Sequence, residues 1–239
     1  MSSHPELKLD WCSHKAAKWA VEHWHYSKTL PTPPRIYVGA WERGRFVGCV
    51  VFSRGNAPNV NKQYGVAKTE IAELTRVALT DHATPTSRVV AVALRLLRRR
   101  CPGLRLVVSY ADIDQGHMGT IYQATGWAYC GWTKGGDRYR DATGREWHSR
   151  MLSPTGITKV YGKRRRVLRP QDLERIRTKG RHKYLMPLDS AMRTQIEPLR
   201  QPYPKRVRSD TIDTPADQAG EGGEAPTRAL HVPRETAAV

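Results

Sequence analysis

The pattern of apolar residues predicts an α/β (α+β) fold, a mixed central sheet flanked by helices, with a basic C-terminal extension. Apolar runs of strand length alternate with stretches of helical spacing, and a short Gly-containing turn joins the first two runs as a hairpin. The order is helix, hairpin, strand, helix, strand, helix, strand. We assign residues 1–152 to this domain, 153–204 to the basic extension and 205–239 to a disordered tail rich in Asp, Glu, Gly, Pro, Thr and Ala.

Each element has a local cause. Residues 13–26 place Ala16, Trp19, Ala20 and His23 or Trp24 at helical spacing behind a Ser13 cap. Pro31, Pro33 and Pro34 then force an extended connection. Ile36–Trp41 and Phe46–Phe52 flank Glu42-Arg43-Gly44-Arg45 as a hairpin. A loop over 53–67 leads to a strand at Glu70–Leu79. Thr84 and Pro85 read as the cap and first position of a helix that runs to Arg100. Leu104–Tyr110 is apolar enough to be buried on both faces. A short helix over His117–Thr125 is closed by Gly126, and a strand follows at Trp127–Trp132. A last hairpin turns at Asp141–Gly144.

Composition narrows the function. The 239 residues are 39% hydrophobic, enough for a core, and no apolar run approaches the ~20 residues of a membrane span. No secretory signal and no disulfide spacing among Cys12, Cys49, Cys101 and Cys130 are visible, so a reducing cytosol and no membrane partner are expected. The net charge is +18, and residues 150–204 hold 14 basic against 4 acidic side chains. Such a surface concentrates polyanions. Lys163, Arg164, Arg165, Arg166, Arg181, Lys183 and Tyr184, with Tyr161 and Tyr203 nearby, read as a DNA-contacting set in which tyrosines stack on bases.

Two stretches carry a resemblance. GTIYQATGW (Gly119–Trp127) after a buried strand, and the hairpin IYVGAWERGRFVGCVVF, resemble elements of GNAT-type acetyl-CoA-dependent transferases. HWHYSKTLP (His23–Pro31), ELTRVAL (Glu73–Leu79) and YADIDQGHMGTIYQATGW (Tyr110–Trp127) together resemble the Mom family of bacteriophage DNA-modification proteins, which are GNAT-like. The resemblance implies an enzyme that converts adenine in double-stranded DNA to an N6-carbamoylmethyl derivative. It would use acetyl-CoA inside the bacterial host cell and protect phage DNA from restriction. It implies a catalytic set of His25, Tyr26, Arg76, Asp112 and Tyr122. Coenzyme would be held by Val77, Leu79, Thr86, Ser87 and Arg88, although the usual glycine-rich phosphate loop is absent.

Each catalytic candidate also has its own chemistry. Arg76 sits within an apolar strand and needs an anionic partner, with Asp112 a candidate. Asp112 lies at the carboxyl end of a core strand, where α/β sheets gather ligand groups. Tyr122, with an ordinary pKa of ~10, suits protonation of a leaving thiolate. His25 serves as base or ligand, and Tyr26 stacks on a flipped base. No metal set is expected from spacing; an iron held by His25, Asp112 and Tyr122 is a secondary expectation. A GNAT acetyltransferase of a small amine or protein, and a DNA-binding protein without activity, are the competing readings. Acyl transfer to N6 yields an amide, whereas the family's product joins N6 to a CH2 and carries an additional nitrogen. No cysteine–histidine relay or PLP, flavin or radical motif supplies that step.

Overall fold

The computed structural model describes residues 6–55, 59–160 and 162–205. Tyr161 and nearly all of the tail expected from residue 205 lie outside them. The described strands are, in chain order, β1 (Leu7–Trp11), β2 (Arg35–Glu42), β3 (Arg45–Ser53), β4 (Ile71–Leu79), β5 (Leu106–Asp112), β6 (Ala128–Lys134), β7 (Asp137–Arg140), β8 (Glu146–His148), β9 (Ile157–Val160), β10 (Lys163–Arg166), β11 (Glu174–Arg177) and β12 (Gly180–Pro187). The α-helices are α1 (His14–Trp24), α2 (Thr86–Arg100), α3 (Thr120–Gln123) and α4 (Ser190–Ile196). A seven-stranded sheet has the order β1-β2-β3-β4-β5-β12-β6. Its neighbours are antiparallel except β4 and β5, which α2 connects in parallel. The expected fold class, a mixed sheet flanked by helices, is therefore present.

Both faces of the sheet are covered, and the two-residue period of the strands decides which side chain meets which helix. Cys49 and Val51 of β3 pack with Ala17, Ala20 and Val21 of α1. Val50 and Phe52 point the other way and pack with Val89, Val90, Ala93 and Leu97 of α2. Helix α1 starts where Ser13 Oγ accepts the Ala16 N–H at 3.1 Å. Met192 and Ile196 of α4 cover Leu106 and Val108 of β5 and Leu185 of β12.

Three expectations change. Thr84 does not cap α2: the helix begins at Thr86 with Pro85 in the cap position, and the Thr84 N–H goes to Glu42. Helix α3 is one turn, because Gly119 adopts a left-handed φ of 71° ahead of it. A Cβ there would sit 2.4 Å from the Tyr184 ring, so only glycine fits. The third change concerns the domain boundary. Residues 180–187, read from sequence as extension, form β12 and pair with both β5 and β6. Tyr184 and Leu185 are fully buried there. The same stretch carries Arg181 and Lys183, and their charge hides the strand in the sequence.

The sheet parts at one place. Pairing of β4 with β5 runs from Ile71↔Leu106 to Leu74↔Ser109 and stops. Beyond that point β4 stays on β3 as far as Leu79, and β5 stays on β12 as far as Asp112. A register shift puts Leu74 and Arg76 of β4 opposite adjacent residues of β3, leaving Thr75 as the extra residue of a bulge. Bulges bend a strand and re-aim its side chains, which opens the gap between β4 and β5 at this point.

Because β12 lies inside the sheet, a chain ending at residue 152 is expected to lose cooperative thermal unfolding. A chain ending at residue 205 is expected to keep it. Melts followed by circular dichroism distinguish the two.

Candidate functional site

The gap between β4 and β5 opens into a cavity of about 980 Å³, and His25, Tyr26, Arg76, Asp112 and Tyr122 all line it. They arrive from three separate stretches: the end of α1, the bulged part of β4, and the end of β5 with α3. Val77 also lines the cavity, whereas Leu79, Thr86, Ser87 and Arg88 are not among its lining residues.

His25 ends α1 in an extended conformation and is 8% exposed. Its Nδ1 accepts the Ser27 N–H at 3.1 Å and lies 2.8 Å from Ser27 Oγ. A backbone N–H only donates, so this bond assigns the proton of the neutral ring to Nε2. Burial, then the positive charge of Arg76, with His117 and Lys28 after it, lowers the His25 pKa to about 4. At neutral pH His25 is therefore an uncharged Nε2–H donor rather than a base. The Tyr26 ring lies 4.4 Å from the His25 ring and 5.7 Å from that of His117, and it is 56% exposed. That places an open aromatic face at the mouth.

Arg76 has no carboxylate in ion-pair range among the described residues. Its Nε donates to the Thr29 carbonyl at 3.0 Å and its Nη1 to the Thr75 carbonyl at 2.7 Å. Burial lowers its pKa, opposed by Tyr26 and Glu73. The expected pairing with Asp112 is replaced: Asp112 Oδ2 is 3.6 Å from Arg138 Nη2 of β7, and Asp112 Oδ1 accepts the Asp114 N–H at 3.1 Å. Arg138 is itself held by Glu146 at 3.1 Å. Arg181, in register with Asp112, also lines the cavity, and among the described residues no ion-pair partner meets it. Arg76 and Arg181 are thus cations outside an ion pair in a cavity that Glu73 also lines, and they are the groups an anionic part of an occupant would meet.

Tyr122 differs from expectation. Its phenol oxygen is 2.8 Å from Ser109 Oγ, whose proton goes to the Leu74 carbonyl, also at 2.8 Å. Burial pushes the phenol up to about 12, opposed by the Ser109 bond, so it is a weaker acid than the ordinary value implies. The secondary expectation of iron does not fit. Tyr122 is committed to Ser109, Asp112 to Arg138, and the described residues hold no cluster of three His, Cys, Asp or Glu side chains able to hold a metal.

The proposed DNA set divides. Lys163, Arg164, Arg165 and Arg166 form all of β10, every one exposed, on a two-stranded ribbon with β9. Arg181 belongs to the cavity, and Lys183 is half-buried opposite Tyr110. Tyr184 is fully buried, accepts from Gln123 Nε2 at 3.1 Å and packs on Tyr122 and Tyr129, so it cannot stack on a base. Sequence reasoning missed Glu73, His117, Arg138 and Glu146, which also line the cavity. The alternating charges of β7 were a signal for Arg138; only the fold shows where it points.

The Mom protein family model matches residues 6–205 of the chain. Methylcarbamoylase mom of Escherichia phage Mu is 27% identical over 131 residues, 53% of this chain and 54% of that protein, so the match spans about half of that relative's length. Among solved structures, spermidine/spermine N-acetyltransferase SpeG from Vibrio cholerae superposes with TM-score 0.43 at 9% identity, covering 79% of this chain and 96% of that one. The aminoglycoside 6'-N-acetyltransferase from Enterococcus faecium gives 0.42 at 10% identity, covering 76% and 97%.

The buried, neutral His25 makes a measurable claim. Its folded pKa lies below the usual 6.5, so its contribution to stability is complete above about pH 6.5 and is lost as pH falls through about 4. An NMR titration is expected to show the His25 ring resonances unmoved from pH 8 to pH 5.5. A midpoint near 6.5 would contradict the geometry.

Proposed function

Because the chain belongs to the Mom protein family, we propose that it is a phage DNA-modification enzyme that converts adenine in double-stranded DNA to its N6-carbamoylmethyl derivative. Acetyl-CoA is the proposed source of the two-carbon unit, by a route other than plain acyl transfer, and protection of phage DNA from host restriction is the proposed purpose. The work would take place inside the bacterial host. The observation that carries this reading is the meeting of His25, Tyr26, Arg76, Asp112 and Tyr122 in one cavity of about 980 Å³.

On this reading an adenine leaves the duplex, at a cost of a few kcal/mol, and enters the cavity past Tyr26, which stacks on it. Arg76 and Arg181 supply positive charge for the nucleotide phosphate or for a donor carbonyl. The His25 Nε2–H donates to that carbonyl oxygen without bringing a charge. Asp112, partly neutralised by Arg138, accepts a hydrogen bond from the N6 amine and orients it. Tyr122, held from behind by Ser109, shapes the back wall. The coenzyme, when bound, supplies the activated two-carbon unit.

Delivery of DNA falls to β10. A two-stranded ribbon with four consecutive exposed cations gains little from packing, and phosphate contact is the use its composition supports. These contacts offset the cost of extruding the base.

The decisive experiment is expression in a bacterium, digestion of its DNA to nucleosides and mass spectrometry. A deoxyadenosine heavier by one carbamoylmethyl group is expected with the wild-type chain and absent with Arg76→Ala. An acetylated product would favour ordinary acyl transfer, and unmodified DNA from folded protein would sink the proposal. For delivery, replacing Arg164, Arg165 and Arg166 by Ala is expected to flatten the plot of log affinity against log salt by ~0.9 for each phosphate the chain no longer neutralises. An unchanged slope would move DNA binding elsewhere on the surface.

A further inference from the structure

The loop that enters α2 holds an anion of its own. Glu42, the last residue of β2, is 7% exposed, and its carboxylate accepts the N–H of Ala83 at 2.9 Å (Oε2) and of Thr84 at 2.7 Å (Oε1). Two consecutive N–H groups converging on two anionic oxygens is how a helix entry loop holds a phosphate. Burial acts to raise the Glu42 pKa, but the hydrogen bonds from Thr84 and Ala83 outweigh it and keep the carboxyl below its ordinary value. The group is ionised at neutral pH.

Three of the neighbouring backbone donors are spent or missing, while the Thr86 and Ser87 N–H groups of the first turn stay open. Pro85 has no N–H, and the N–H groups of Arg88 and Val89 go to the Pro85 carbonyl at 2.8 and 3.2 Å. Thr86 Oγ1 lies 3.2 Å from His82 Nε2. No glycine occurs between Thr80 and Arg100, so no residue there combines close backbone approach with freedom of φ. A diphosphate brought to this loop would find the Ala83 and Thr84 N–H groups already taken by a carboxylate, losing those hydrogen bonds and gaining like-charge repulsion.

We infer that Glu42 fills the phosphate seat at the entrance to α2, and that the two-carbon donor binds through its acyl and pantetheine end in the gap between β4 and β5, with its diphosphate unanchored. The inference rests on the transferase reading above and restricts which part of the donor is recognised. It also accounts for Thr86, Ser87 and Arg88 standing apart from the cavity while Val77 lines it.

The test is calorimetric titration of the full chain with acetyl-CoA, S-acetylpantetheine and ADP. Acetyl-CoA and S-acetylpantetheine are expected to bind within about threefold of one another, and ADP not to bind. A seated diphosphate makes several charge-assisted hydrogen bonds, so its removal costs more than ~100-fold. Acetyl-CoA binding over ~100-fold tighter than S-acetylpantetheine would therefore overturn the inference. Measurable ADP binding competed by inorganic diphosphate would overturn it as well. Glu42→Gln removes the resident charge, and is expected to strengthen acetyl-CoA binding more than S-acetylpantetheine binding. The wild-type comparison stands even if that variant does not fold. Modified deoxyadenosine in cellular DNA tests the transferase reading separately, whatever affinity ratio is found.

Discussion

The site depends on a sheet that is held together on one side of a point and open on the other. At that point Ser109 Oγ donates to the Leu74 carbonyl, and the Tyr122 phenol lies at 2.8 Å from the same serine. Leu74 and Ser109 are the last paired residues of β4 and β5. Thr75, the bulge residue, follows immediately; its hydroxyl donates to the Val51 carbonyl at 3.1 Å and its carbonyl receives Arg76. A gap between two central strands exposes backbone groups that would otherwise be paired. Here side chains end the ladder in an orderly way, and the cavity begins where they do so. Remove the serine–tyrosine pin and the edge of the gap, not only a hydrogen bond, is affected.

Charge in the cavity follows from how the smaller sheet is attached. Strands β11, β7 and β8 form a separate three-stranded sheet laced by Arg140 with Glu146 and Glu174, and by Arg175 with Asp137. These exposed pairs contribute little stability individually. Their effect is to fix Arg138, which is shared between Glu146 and Asp112. Asp112 then needs no other cation, and Arg76 and Arg181 remain available to a ligand. The neutral state of His25 belongs to the same arrangement, since Arg76 is the leading charge acting against its protonation. The cavity thus holds three guanidiniums and three carboxylates, with the Arg138 pairings leaving Arg76 and Arg181 as its cations outside an ion pair among the described residues.

The sequence carried the fold class, and the residues it offered as a site meet in one cavity while their roles stand as proposals. Strands β2 to β5, helix α2 and the β7–β8 turn are legible because each is a continuous local pattern, apolar inside and polar at its turns. The five catalytic candidates came from resemblance, and the local patterns alone could not have brought them into one cavity. What stayed hidden was non-local. The partner of Arg76 could not be read, because choosing between Asp112 and carbonyl oxygens requires knowing that β4 bulges at Thr75. Tyr184 read as a stacking residue because it sits among charges; its burial depends on α3 and β6 arriving beside it. The Thr84 cap failed for the same kind of reason, since Glu42 approaches from another strand.

Strand β12 joins the two halves of the proposed activity. Its Arg181 faces the cavity, and the preceding residue but one, Lys179, donates its N–H to the Asp114 carboxylate just beyond β5. Upstream, the chain has passed through the exposed cations of β10 and through β11, which pairs with the strand that carries Arg138. The chain therefore runs from β10 into β11, the neighbour of the strand whose Arg138 meets Asp112. A basic extension tethered outside the domain would raise the local concentration of DNA and do no more. Here the last strand of the basic stretch is the sixth of seven in the main sheet, so on the proposed function the chain that meets DNA also builds one wall of the cavity.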